Sequence, residues 1–426
     1  MHPLLRLIPV VLLSVFAAPA PAPADWTTYQ GATSRAGVVA DAPPFAGFQR
    51  RFSQRVDGEI YTQPLISGGR VYVATENNSV YAFTTSGALV FRRHLGAPVP
   101  GKDLPCGNIN PSGITGTPVL AGGRLYVVAF LRAGPHHILF GLDPVSGRVV
   151  SRQRVDPANR ITQQQRGALL ADHGRIYIPF GGLFGDCGTY HGVVVSAAIV
   201  GGRTSIFSDP ARKAGIWTPG GLSEEPDGNL LVATGNGSGP GNLGYINSVM
   251  RLSPGLVRQA YWAPSDWSSL SRSDTDIGSL EPLPLPDGRV FQAGKDGNGY
   301  LLPRGLGHIG GELFKAGICD SALGAPALSG SMVLVPCASS LVALRLSGDR
   351  FSVAWRRSGN ASTPVIAGSA AIYISGDQLI AVGLAGGRQL ASVNVGGGAN
   401  SFPAPAGSGD LVVAPAGRSV IGFGGG

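Results

Sequence analysis

Four segments of this 426-residue chain, inserted relative to a recurring β unit, carry clusters of side chains able to recognise a ligand. Residues 101–118 hold Cys106, Asn108 and Asn110, and residues 180–192 hold Asp186, Cys187, Tyr190 and His191. Residues 235–248 hold Asn236, Asn242, Tyr245 and Asn247, and residues 262–280 hold Trp262, Trp267, Asp274 and Asp276. Amides, carboxylates, phenols and indoles on loops supply hydrogen bonds and stacking faces, and a rigid scaffold under such loops makes a binding surface. Lys295, ahead of Asp296-Gly297, adds an ammonium group. Each residue also has a plainer reading: Asn236 between two glycines as a left-handed turn, Asp274 and Asp276 as turn caps, Lys295 in a hairpin, Asp186 and His191 in a hydrogen-bonded loop. His136-His137 reads as an exposed hairpin tip. No G-x-S-x-G elbow, H-E-x-x-H pair or phosphate loop occurs, so hydrolase, protease and nucleotide chemistry find no support.

The four segments interrupt a repeat, and the repeat must position them. Its clearest copy runs from Thr62 to Gly96, TQPLISGGRVYVATENNSVYAFTTSGALVFRRHLG. Pro64 to Ile66 is apolar, Gly68-Gly69 turns the chain, and Val71 to Ala74 is rich in β-branched and aromatic residues. Glu76 to Asn78 turns it again before strands at Ser79–Phe83 and Ala88–Arg92. Seven further copies begin near Thr115, Arg166, Gly220, Gly278, Leu323, Ala361 and Asn400. A four-stranded meander cannot bury both faces alone, so the copies must stack on one another. The 65 Gly and 33 Pro residues mark frequent turns, and an apolar fraction of 43% excludes a disordered chain.

The expected fold is all-β: an eight-bladed β-propeller of four-stranded antiparallel blades, with seven blades as the alternative. The last copy lacks an outer strand, and a strand near residues 45–56 is expected to complete it and close the ring. Residues 25–426 then form one domain. Residues 1–24 read as a signal peptide, with Arg6, an apolar run from Leu7 to Ala18, and cleavage near Ala24. The run is too short for a transmembrane helix, so the mature chain is expected to be secreted or periplasmic and monomeric. In that compartment four cysteines predict two disulfides from three possible pairings. Cys319 with Cys337 is the local bridge, leaving Cys106 to join Cys187 across neighbouring blades. The net charge of +8 is thinly spread, in pairs such as Arg50-Arg51, Arg92-Arg93 and Arg356-Arg357 on outer strands. It forms no basic stripe interleaved with aromatics, so nucleic acid is not an expected partner.

The motifs GGRVYVATENNSVYAF, GLDPVSGRVV from Gly141, DWTTYQGATSRAG from Asp25 and AGKDGNGYLL from Ala293 resemble those of the quinoprotein-like propellers, built of PQQ-like repeats (PQQ, pyrroloquinoline quinone). Dehydrogenases of that family hold Ca²⁺ and PQQ in the central funnel. The resemblance implies Asn236 as a metal and cofactor ligand, Asp276 or Asp274 as the catalytic base, and Lys295 on the quinone oxygens. Departures are plain. Cys187 stands where the family has its metal-binding Glu, with Asp186 beside it as the substitute ligand, and Cys106 has no vicinal partner. A Trp platform under the quinone is not evident, and the Trp that locks neighbouring blades survives only as Trp355. The reading adopted is therefore a binding or scaffolding propeller of the envelope or extracellular space, with no cofactor. Its partner is a protein, peptide or glycan at the loop-rich face of blades two to four. The alternative is a dehydrogenase of alcohols or sugars that depends on PQQ and Ca²⁺.

Overall fold

The computed structural model describes residues 24–238, 243–397, 402 and 404–424. Apart from Ala24, the segment read as a signal peptide lies outside the described residues, as does Asn242. Eight sheets follow one another along the chain, each with four antiparallel strands at its core. Blade one is typical: Leu65–Ser67, Arg70–Ala74, Ser79–Thr84 and Leu89–His94. Its first strand is almost wholly buried and its last almost wholly exposed. The same gradient recurs in blade seven, from Val365–Ala367 to Gln389–Asn394. First strands therefore line the centre of the ring and last strands face solvent. Apolar residues on both faces of the middle strands pack against the neighbouring blades, which gives each blade the second layer it lacks alone.

Blade eight contributes three strands of its own, Ala406–Ser408, Leu411–Ala416 and Ser419–Gly424. Its fourth is Gln49–Arg55, antiparallel to Ser419–Gly424, so a strand ahead of blade one closes the last blade and the ring. The preceding segment fills the centre of the ring. Trp26, Tyr29, Gln30 and Arg35 are all buried there. The Arg35 guanidinium donates to the Leu169 and Leu222 carbonyls of blades three and four, to the Tyr29 carbonyl, and to Thr28 Oγ1. Gln30 Nε2 donates to the Pro364 and Pro326 carbonyls at blades seven and six. Three residues beyond Arg35, Val38–Val39 pairs in parallel with Ile366–Ala367 of blade seven. One short segment thus ties together blades on opposite sides of the axis.

An aromatic clasp joins several neighbouring blades. A Cβ on Gly147 would lie 2.4 Å from the Phe91 ring of the blade before it, and the residue has φ +69°, so only glycine fits. Gly87 stands in the same relation to Phe52, and Gly387 to Trp355. The slot that the sequence reading credits to Trp355 alone is therefore also filled by Phe52 and Phe91; ring size differs, but the packing role is the same. A second correction concerns His137, which is 2% exposed, stacked 4.1 Å from Phe130 and edge-on to Phe180. It belongs to the strand His136–Leu142 rather than to a hairpin tip, because an imidazole between two phenyl rings is better packed than solvated. No helix among the described residues is long and apolar enough to cross a membrane.

Candidate functional site

The chain entering each innermost strand passes the mouth of the central channel, and here the repeat changes character. Arg166, Trp217, Asp276, Leu323 and Phe402 stand just ahead of the first strands of blades three, four, five, six and eight, and all five line one cavity of about 390 Å³. Loops complete it. Asp186 and Tyr190 come from the connection between Arg175–Gly182 and His191–Ala198 of blade three. Asn236 follows Leu230–Ala233 of blade four, Asp274 follows the short helix Trp267–Arg272, and Lys295 turns between Val290–Ala293 and Asn298–Leu302 of blade five. Every residue nominated from sequence for catalysis, cofactor or metal, namely Asn236, Asp274, Asp276, Lys295 and Asp186, faces this cavity.

Asp276 is fully buried. Its Oδ2 accepts a hydrogen bond from the Trp217 indole at 3.0 Å, and its Oδ1 lies 2.8 Å from Lys295 Nζ, an ion pair not aligned as a hydrogen bond. Lys295 Nζ also sits 3.4 Å from Asp274 Oδ1 and 5.3 Å from the centre of the Trp217 ring. Asn236 Nδ2 donates to Asp274 Oδ1 at 2.9 Å. Asn236 is not left-handed; Asp274 is, with φ +54°. Burial pushes the Asp276 carboxyl up against the pull of Lys295. For Lys295 the balance runs the other way: burial opposes its charge, but Asp276 and Asp274 outweigh burial and hold the ammonium above its ordinary value. Asp186 is held separately, accepting from the Tyr190 hydroxyl, whose own pKa is driven up by burial and by that carboxylate.

The bridge between Cys106 and Cys187 joins the insertion at 101–118 to the loop that carries Asp186. It braces the wall of the cavity across blades two and three. Cys319 and Cys337 form the second disulfide, as expected, within the hairpin region of blades five and six.

The donor set does not suit a calcium ion. Ca²⁺ takes six to eight oxygens, several from carboxylates. Here a lysine ammonium stands between Asp274 and Asp276, and Asp186 is committed to Tyr190. The described Asp, Glu, His and Cys groups that converge closely enough to share an ion lie elsewhere. Positive charge is better represented. Arg166 donates to Gln164 and stacks over Phe402 at 5.8 Å, and neither it nor Lys213 is ion-paired among the described residues.

Arg166, Lys213, Trp217 and Phe402 escape the sequence reading. Their signal was position, since Arg166, Trp217 and Phe402 each stand just ahead of a blade's first strand, where the chain crosses the channel mouth. Trp217 in IWTPGG occupies the entry that blade two fills with ITGTPV. It supplies the indole wall that the sequence reading finds missing.

Residues 46–196 match the family of PQQ-like repeats described as outer membrane protein assembly factor BamB. No curated protein matches the chain. Among solved structures, a europium-containing methanol dehydrogenase aligns over 93% of this chain and 90% of its own, with TM-score 0.74 and 14% identity. The quinohaemoprotein alcohol dehydrogenase of Comamonas testosteroni aligns over 94% and 80%, with TM-score 0.71 and 14% identity. BamB of Moraxella catarrhalis aligns over 89% and 98%, with TM-score 0.62 and 13% identity. At such identities the likeness concerns the fold. The eight sheets and the closed ring, with the repeat match over residues 46–196, make the chain similar in fold to the quinoprotein-like β-propellers built of PQQ-like repeats.

Proposed function

We propose that the protein is an exported binding propeller of the cell envelope or extracellular space, and that the cavity at its channel mouth takes an acid-bearing group presented by a partner protein, peptide or glycan. One observation carries this reading. The three carboxylates of the cavity are already held, two by Lys295 and one by Tyr190, whereas Arg166 and Lys213 are left without an acid partner among the described residues. An anion entering between them gains charge-assisted hydrogen bonds, and Trp217, Phe402 and the exposed Phe184 offer flat faces for its body. The likeness to BamB, named for outer membrane protein assembly, supports a protein as the bearer of that group. The Arg6 and apolar-run signature of residues 1–24 and the two disulfides support export.

A second reading, a PQQ-dependent dehydrogenase, is favoured by the meeting of Asn236, Asp276 and Lys295 in one cavity. Reconstitution separates the two. The purified protein, loaded with PQQ and Ca²⁺ and desalted, is assayed for quinone absorbance and for dye reduction with alcohols or aldoses. The binding reading expects no turnover. It also expects a photo-crosslinker at Phe184 to capture a partner whose yield falls sharply in Arg166→Gln/Lys213→Gln. Dye reduction would establish the enzyme, and capture indifferent to the two cations would refute the anion site.

A further inference from the structure

The propeller serves as its own alignment, and one cluster breaks that alignment three times. In six blades the first and second strands are joined by the same tight turn, flanked by Ser67–Arg70, Ala121–Arg124, Asp172–Arg175, Ser329–Met332, Ala367–Ala370 and Ser408–Leu411. The residue that opens the turn is left-handed every time, and five blades use glycine there: Gly68, Gly122, Gly330, Gly368 and Gly409, with φ between +54° and +57°. Blade three alone uses histidine, His173 at φ +48°, where a Cβ is unfavourable. The residue before it is Ser or Ala in the other five turns and Asp172 in blade three. Across the seam, Glu224 of blade four pairs with Leu230, a register position held elsewhere by Ile66, Leu120, Ala171, Pro284, Leu328, Ile366 and Gly407. None of those can hold a metal.

The three departures meet. One ligand atom from each of Asp172, His173 and Glu224 lies within 4.8 Å of the others, with His173 exposed and the two acids half-buried. Arg175, the cation beside Asp172, spends its guanidinium on Ser196 and on the Arg203 carbonyl, so it does not neutralise the pair. We infer that Asp172, His173 and Glu224 form a divalent transition-metal site, of the zinc class, that clips the turn of blade three to the first strand of blade four. One imidazole and two carboxylates are a borderline donor set, preferring Zn²⁺ to the hard Ca²⁺. With bonds near 2.0–2.2 Å, tetrahedral donors lie roughly 3.4 Å apart; His173 Nδ1, which contacts the Asp172 carboxylate directly, would part from it to that spacing as the metal takes its place, with Glu224 within reach. Solvent access to His173 leaves the fourth position to water. This site is separate from the channel-mouth cavity and independent of its ligand.

The test uses the full chain, stripped with EDTA and with its disulfides intact, titrated calorimetrically with zinc chloride and with calcium chloride. One equivalent of Zn²⁺ is expected, with Ca²⁺ at least about a hundredfold weaker. His173→Gly restores the residue of the other turns and Glu224→Gln keeps size, so both variants should fold; each should weaken Zn²⁺ by at least about tenfold. An unchanged circular dichroism spectrum and a metal-free melting temperature no lower than wild type show that the loss is of ligands and not of structure. Absence of stoichiometric Zn²⁺ binding, wild-type affinity in either variant, or Ca²⁺ bound as tightly as Zn²⁺ overturns the assignment.

Discussion

Glu281→Gln tests how the centre of the ring is sealed. The Glu281 carboxyl is fully buried; its Oε2 receives only the Thr218 hydroxyl, at 3.4 Å, and its Oε1 has no hydrogen-bond partner among the described residues. Burial raises its pKa from 4.5 to about 8, with Arg35 pulling the other way. Because the folded value is the higher one, the folded protein keeps a proton that the unfolded chain has released. This contribution to stability is complete below pH 4.5 and is lost as the pH climbs through about 8. Each unit is worth about 1.4 kcal/mol, so the displacement sets a ceiling of about 5 kcal/mol. Glutamine has nearly the same shape and no titration. Melting temperatures of wild type and variant should therefore differ by a constant near pH 4.5, and the variant should gain on wild type by several degrees between pH 5 and pH 9. Asp209, pushed up to about 8, and Glu76, pushed up to about 7, titrate in both proteins and cancel in the difference. Parallel curves across that range would refute the reasoning, since they would mean that Glu281 is equally charged in the folded and unfolded chains.

Two further perturbations probe the wall of the cavity. Lys295→Met strands the buried Asp276 carboxylate and should cost towards the lower end of about 3–5 kcal/mol, because Lys295 is partly exposed and the Trp217 indole remains. Adding Asp276→Asn should recover most of that loss in chemical denaturation, and a strictly additive double variant would show that the pair is not coupled. For the disulfides, the loop-entropy relation gives about 4.5 kcal/mol for the 81-residue separation of Cys106 and Cys187 and about 3 kcal/mol for the 18-residue separation of Cys319 and Cys337. Serine pairs at the first bridge should lower the melting temperature more than at the second, and a reversed order would contradict the entropic account.

The architecture was legible because strands, turns and their period are local properties. Val71 to Ala74 is a strand by its own composition, and eight such segments leave few ways to bury their faces. The pairing of four cysteines was legible for a related reason, since the repeat fixes which loops can be neighbours. The cavity was legible only on one side. Asn236, Asp274, Asp276 and Lys295 sit in motifs whose spacing marks them, and they do share a wall. Arg166 of blade three and Phe402 of blade eight join them from other blades, and no spacing along the chain relates residues brought together by ring closure. His137 shows the same limit in miniature: its burial was decided by Phe130 on the paired strand and Phe180 of the next blade, not by the residues on either side of it in sequence.

A repeat protein offers a remedy for that limit. When the same turn is built six times, a residue that differs in one copy has been excused from the common structural role, and the physical cost of the difference asks for a compensating interaction. His173 in a left-handed position that five other turns give to glycine is such a case, as is Trp217 at an entry that blade two builds from smaller residues. The two departures lead to different places: Trp217 to the channel mouth, where it holds Asp276, and His173 to the seam of blades three and four at the far end of their first strands. Both belong to the stretch from blade three to blade five, where three of the four insertions also lie. The remaining blades keep the ring closed and rigid, which is the condition for two precise sites to coexist on one side of it.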